Sequence, residues 1–410
     1  MTAVFNTVPP GRTLGILGGG HLGRMTAVAA RALGYRTHVL EVDPACNSEG
    51  VAERSVYATR HDVRAAIALA ADCDVVTVSS EDIAYEVLES VSLRVPLRSS
   101  LSVLALAQHR VRERRWLVAS GFAVVPWREA NSRDDLNDAV NALGVPCIVK
   151  PQVRRRADLR PLWVTSPSEA ACAWRAMRGL PTVVEAVVPI ATELTVLVAR
   201  SPTGAVASYP PAVGVREHGE LAWTALPGGV STDVAARAQA LAARVARELG
   251  VEGLLTVELF LLADGRLVVN ELVPCPHPTY NGTELGCITD QFEQLVRCVM
   301  GLPLGATDIL QPAVTIVIGA RHRLTSAVTT QRALRMPGVR AHLYTSAEGA
   351  SKGLSGHLCA TGETLDEAAR RAIVAASRIG CRNTRRMCRD REPLAGSSPR
   401  RRPAATVVSR

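Results

Sequence analysis

LLTVELFLLADGRLVVNEL, residues 254–272, holds two apolar runs around Asp264-Gly265. Asp-Gly between such runs is a strong signal for a two-residue β-hairpin, because the turn needs positive φ at both positions. If Ala263 pairs with Arg266, Glu258 falls directly opposite Glu271 on one face of the strand pair. Their neighbours Val257, Leu259 and Leu272 are apolar, so both strands read as buried. Facing carboxylates repel, and burial raises the cost. A divalent cation between them removes it, and hard oxygen ligands suit Mg²⁺ bound together with substrate phosphates.

Upstream, Ile148 and Val149 lead along a strand into Lys150, with Lys352 one of two lysines in the chain. A lysine ending a buried strand suits a nucleotide phosphate. No glycine lies between Lys150 and Pro161, where QVRRRADLR carries the consecutive arginines Arg154 to Arg156. Glycines would let backbone amides approach a phosphate and let the loop close. Arginine side chains can neutralise phosphates but do not reproduce that amide geometry. Around Lys150 the pattern reads as a small α+β unit, with strand 123–126, helix 133–143, strands 146–150 and 160–165, and helix 167–178. Strands 183–188, 193–200 and 205–210 and a helix over 231–249, ended by Gly250, lead to the hairpin.

LGILGGGHLGRM, residues 14–25, combines a strand with the glycine spacing Gly18, Gly20, Gly23 and a helix stopped by Gly34. The next strand ends near Glu41 and Asp43, completing a β-α-β unit. Such a turn aims backbone N–H groups and a helix N-terminus at a phosphate. Helix 61–71, strand 74–78, helix 82–91 and strand 93–97 continue the alternation, which implies an open parallel sheet. The loop alone fits a dinucleotide or a single phosphate, so an NAD-dependent oxidoreductase is one reading of this segment.

The 410 residues suffice for two or three domains, and 47% hydrophobic against 21% charged residues supply ample core. Aromatic residues are only 4%, which argues against stacking of nucleic-acid bases. The net charge of +9 is carried largely by arginines, many of them near the C-terminus, and reads as a solvated basic tail. Ten cysteines without Cys-x-x-Cys or metal spacing fit a reducing cytoplasm. The N-terminus lacks the pattern of a signal peptide, and no apolar run is long enough to span a membrane.

With Lys150, the two glutamates and the glycine loop, residues 12–380 resemble the ATP-grasp enzymes, and among them the 5-(carboxyamino)imidazole ribonucleotide synthases of purine biosynthesis. LGILGGGHLGRM is similar to that family's LGILGGGQLGRM, with His21 in place of glutamine. LALAQHRVRERRWL (104–117) resembles its AQDR-containing helix, and TDQFEQLVRCVMGLPLG (289–305) its TSQFEQHLRAVLGLPLG. HLYTSAEGASKGLSGHL (342–358) is a weaker echo of an HLYGK…RKxGH segment.

The resemblance implies α/β and α+β structure in an ATP-grasp fold. A Rossmann-like preATP-grasp domain would span 1–108, the ATP-grasp domain 109–310, a small C-terminal domain 311–385, and a basic disordered tail 386–410. It implies a homodimeric ligase, and the composition points to a cytoplasmic protein that binds neither membrane nor nucleic acid. This enzyme uses ATP, Mg²⁺ and bicarbonate to carboxylate 5-aminoimidazole ribonucleotide by way of carboxyphosphate. Arg110, Lys150, Glu185, Ala186, Val187, Val188, Glu193, Arg216, Asn270 and Glu271 take nucleotide-binding positions, and Glu258 and Glu271 hold the metal. Gly20, His21, Leu22, Glu81, His277 and Lys352 fall to the acceptor substrate, and no catalytic residue is singled out.

The chain departs from the family near the chemistry. The RGGYDGKG loop becomes QVRRRADLRP, an expected histidine is Arg216, APRPHNSGH becomes VPCPHPTYN, and the C-terminal RK pair is reduced to Lys352-Gly353. These changes raise a second reading, a paralogue that binds nucleotide or a partner without efficient turnover.

Overall fold

The computed structural model describes residues 7–42, 50–154, 159–217, 220–319, 327–344 and 354–381. The chain divides into two compact units, one drawn from 1–101, 194–256 and 274–410, the other from 102–193 and 257–273.

The first unit opens with β1 (Thr13–Leu17), α1 (His21–Ala32), β2 (Arg36–Glu41), β3 (Arg54–Tyr57), α2 (Val63–Ala70), β4 (Val75–Val78), α3 (Tyr85–Ser92) and β5 (Leu97–Arg98). The strands form one parallel sheet in the order β3-β2-β1-β4-β5. β1 and β4 are buried along their whole length, as strands covered on both faces must be. The final strand starts later than the expected 93–97, because α3 runs to Ser92 and Leu93 still closes it. β3 was not read from the sequence, its four residues being only partly buried or exposed.

The same unit contains a second five-stranded sheet, in the order Val213–Glu217, Glu220–Leu226, Ala313–Gly319, Leu354–Thr361 and Val339–Leu343, with all neighbours antiparallel. The helix Leu365–Arg378 covers it through Ala368, Ala369, Ala372, Ala375 and Ala376, a small-residue face that lets helix and sheet approach closely.

The second unit contains the antiparallel sheet Trp127–Ala130, Thr182–Ala186, Cys147–Pro151, Leu162–Val164. The helices Arg133–Leu143 and Ala170–Ala176 close one face around Leu136, Val140, Cys147, Val149 and Val184. Ser132 and Asp135 start the first of them with a reciprocal capping box. The expected strand 123–126 begins instead at Trp127, while Val124 makes an isolated bridge to Val269. Pro167 turns the first residues of the expected helix 167–178 into a 3₁₀ turn.

The hairpin forms with a turn one residue longer than expected. Leu262 N–H donates to Arg266 O at 2.9 Å and Gly265 N–H to Leu262 O at 2.9 Å, with Gly265 at φ 84°. Glycine thus takes the left-handed position that closes a three-residue loop. Ala263 N–H is drawn to Pro189 O at 2.9 Å, so the Ala263–Arg266 pair does not form. The Asp264 carboxylate fixes the loop by accepting from Arg266 N–H at 3.0 Å. The predicted face-to-face Glu258–Glu271 register is therefore corrected, and Asn270 Nδ2 meets the Glu258 carboxylate at 3.2 Å.

Candidate nucleotide and metal site

The site grows from the helix Arg110–Ala119, which buries Val111, Glu113, Arg114 and Leu117. Two charged side chains at core spacing need partners, since unpaired buried charge is costly. Arg114 donates to Glu185 at 2.8 Å through Nη2 and at 3.2 Å through Nε. Lys150 Nζ donates to the other Glu185 oxygen at 2.6 Å. In the sheet Ile148 faces Glu185, so Lys150, two residues on, reaches it diagonally on the same face. Burial works against the Glu185 charge, yet Lys150 and Arg114 hold its carboxyl down to about 2.

Arg154 continues the network. Its Nη2 donates to Glu113 Oε2 at 2.5 Å, and its Nη1 forms a close ion pair with Glu271. The Arg154 side chain is only 4% exposed, so it lies inside the unit and not in solvent where a phosphate would first arrive. Gln152 is tied down as well, donating to Asn131 Oδ1 at 3.0 Å. Burial pushes the Glu113 carboxyl up to about 7, against the opposing pull of Arg154 and Arg114. For Glu271, burial raises the pKa, but Arg154, Arg110 and Lys150 outweigh it and keep the carboxyl below its ordinary value. Arg110 is anchored by Nη1 donating to Pro151 O at 2.8 Å and by its own N–H to Gln152 O.

Within this unit the structure therefore joins Arg110, Lys150, Glu185 and Glu271 in one charged cluster, with Asn270 and Glu258 paired beside it on the hairpin. Asn270 Oδ1 is buried and accepts no hydrogen bond among the described residues. Glu185 to Val188 run from the strand Thr182–Ala186 into a loop where Val187 is exposed, and Glu193 lies on the strand Ile190–Arg200.

The remaining expected residues lie in the first unit. Gly20, His21 and Leu22 line a pocket of about 200 Å³ with Gly18, Gly23, Glu41, Arg60, Ser79 and Ser80. Gly18 has φ 103°, and a Cβ on Gly23 would stand 2.0 Å from Gly18 O, so both glycines are demanded by the turn. Burial lowers His21 to about 4, leaving its imidazole neutral at pH 7. His277 is held by a buried amide, its N–H donating to Gln291 Oε1 and its O accepting from Gln291 Nε2. Glu81 follows β4 and is half-buried, whereas Arg216 is exposed on the strand Val213–Glu217. Asp43, Arg155, Arg156, Lys352, Gly353 and the tail fall outside the described residues.

Sequence reasoning missed Glu113 and Arg114. Their signal was present: with Arg110 and Leu117 they follow the i, i+3, i+4, i+7 pattern of a buried helix face. Charged side chains at those positions point to an internal ion network.

Unit and cluster together define the class: this is an ATP-grasp protein. The ATP-grasp domain model matches residues 115–292, and the ribonucleotide synthetase preATP-grasp domain model matches residues 12–108. An N5-carboxyaminoimidazole ribonucleotide synthase from Brucella melitensis is 35% identical over 307 residues, covering 74% of this chain and 84% of the relative. The crystal structure of an N5-carboxyaminoimidazole ribonucleotide synthetase–ADP complex superposes with a TM-score of 0.84 at 30% identity, covering 90% of this chain and 98% of that one. An Aspergillus clavatus N5-carboxyaminoimidazole synthase, solved with ADP and 5-aminoimidazole ribonucleotide, gives a TM-score of 0.82 at 28% identity over 90% of this chain and 98% of its own. The chain belongs to the N5-carboxyaminoimidazole ribonucleotide synthase family.

Proposed function

We propose that this chain is an ATP-dependent ligase that carboxylates 5-aminoimidazole ribonucleotide with bicarbonate in purine biosynthesis. The observation that carries the reading is the partly buried charged cluster of Lys150, Glu185, Arg110 and Glu271 on an ATP-grasp scaffold. ATP phosphorylates bicarbonate, the carboxyl group passes to the exocyclic amine of the acceptor, and ADP and phosphate leave. The structural relatives bind ADP and, in one case, the acceptor, which supports this assignment over a nicotinamide oxidoreductase. That the relatives are synthases also favours catalysis over a purely binding role.

The donor set fits Mg²⁺. Glu258 and Asn270 Oδ1 lie side by side on one face of the hairpin as hard oxygen ligands, whereas Glu271, the next residue, projects from the other face and is held by Arg154. Bound there, the ion would supply charge neutralisation at the phosphates. Lys150 is placed to exchange Glu185 for a phosphate, and Arg154 must release Glu271 before that carboxylate can serve a metal. The glycine pocket of the first unit would receive the ribonucleotide phosphate at the N-terminus of α1. A homodimer and a cytoplasmic setting belong to the same reading.

Incubation with labelled bicarbonate, Mg²⁺·ATP and 5-aminoimidazole ribonucleotide should transfer label to the acceptor only when all components are present. Retained ATP binding without label transfer would instead support a binding role.

A further inference from the structure

A second polar cluster lies inside the first unit, built from none of the nucleotide candidates. In the sheet His342 stands directly opposite His357, and their rings stack with centroids 4.6 Å apart. Glu284, on the short helix Thr283–Gly286, points one carboxylate oxygen at both: Oε2 is 3.0 Å from His342 Nε2 and 4.0 Å from His357 Nε2. The three donor atoms all lie within 4.8 Å of one another.

Their orientation matters more than their proximity. An imidazole and a carboxylate this close normally share a hydrogen bond. Here Glu284 Oε2, His342 Nε2 and His357 Nε2 are all buried, and although Glu284 and His342 stand at ion-pair distance, none of the three atoms has a well-aligned hydrogen bond among the described residues. Leaving one such atom unsatisfied costs about 1–3 kcal/mol, and a single ion at the point where the three converge would satisfy all of them. The His357 side chain is 2% exposed, which leaves water little access. Its Nδ1 lies 2.6 Å from the Tyr344 hydroxyl. If that nitrogen carries the proton and donates to the tyrosine oxygen, Nε2 is left as a bare lone pair. Metal-bound histidines are oriented in this way, through a hydrogen bond from the other ring nitrogen.

We propose that Glu284, His342 and His357 bind one divalent transition-metal ion of the zinc class. Two imidazole nitrogens and one carboxylate favour Zn²⁺ or Co²⁺ over Mg²⁺, which prefers oxygen and keeps its waters. Three protein ligands leave a coordination position open. The ion would tie the strands Val339–Leu343 and Leu354–Thr361 to the helix Thr283–Gly286.

Cobalt tests this directly. Chelator-treated full-length protein should take up one Co²⁺ per chain with a visible d–d spectrum, release it to Zn²⁺, and ignore Mg²⁺. Thermal unfolding should shift upward with Zn²⁺, as for any ligand bound only by the native state. E284Q keeps size and shape and should lose both the spectrum and the shift, while E271Q, altered in the proposed nucleotide site, keeps both. H342Q is read in parallel, with circular dichroism confirming its fold. No uptake by the parent protein, or a cobalt spectrum of thiolate type unchanged in E284Q, would overturn the proposal. Because these readouts use neither ATP nor acceptor, they stand or fall apart from the ligase assignment.

Discussion

Glu185 shows how one buried residue can be both scaffold and site. It is 3% exposed and accepts from two cations, so removing its charge leaves Lys150 and Arg114 unmatched in the interior. Breaking a buried pair from one side costs about 3–5 kcal/mol, and E185Q should lose about that much in urea unfolding at neutral pH. The pH dependence has a definite sign. The folded carboxyl is held at about 2 against an ordinary 4.5, so its stabilisation is full above 4.5 and is lost as pH falls toward 2. E185Q should lack that share of the acid-side loss; equal pH profiles for the two proteins would show that the pair carries no net stabilisation. Lys150 was legible in the sequence because a lysine at the end of an apolar strand is conspicuous. Its resting partner was not, because Glu185 was read as a nucleotide contact and pairing across a sheet depends on register.

At the scale of elements, the segment after Lys150 turns inward at Arg154. Arg154 is bound to Glu113 and Glu271, where the sequence alone offered it as a phosphate-neutralising side chain. Pattern reading cannot give this, because nothing local tells an arginine to turn inward toward carboxylates far along the chain. The hairpin teaches a related lesson. Its existence and turn residues were plain from Asp264-Gly265, but one extra residue in the loop moved Glu258 from Glu271 to Asn270. R154G should free Glu271 and tighten Mg²⁺·ATP binding by about tenfold, a gain of about 1.4 kcal/mol, as measured by titration calorimetry. Weaker binding would mean that Arg154 contributes to the nucleotide complex itself. The glycine loop of the first unit makes the opposite demand. G23A would drive a Cβ into Gly18 O, so the α1 turn must shift and acceptor affinity should fall at least about tenfold, with ATP affinity retained. Unchanged acceptor binding in a folded G23A protein would remove that pocket from the substrate site.

Across the whole molecule, the βαβ start, the alternation of the first sheet, the small α+β unit and the hairpin were readable from hydrophobic period and turn residues. The sheet that joins 213–226 to 313–361 was not, since no local pattern announces pairing between such distant strands. The sequence between Lys150 and Pro161, arginine-rich and without glycine, predicts that part of a water-sensitive intermediate is lost before the carboxyl group reaches the acceptor. The most direct test follows ADP and carboxylated acceptor together, in one reaction containing Mg²⁺·ATP, bicarbonate and 5-aminoimidazole ribonucleotide. Both should form, both should depend on bicarbonate, and ADP should accumulate faster than product. ADP without any carboxylated acceptor would contradict the ligase assignment, and one product per ADP at about ten turnovers per second, an ordinary enzymatic rate, would contradict the predicted loss of intermediate.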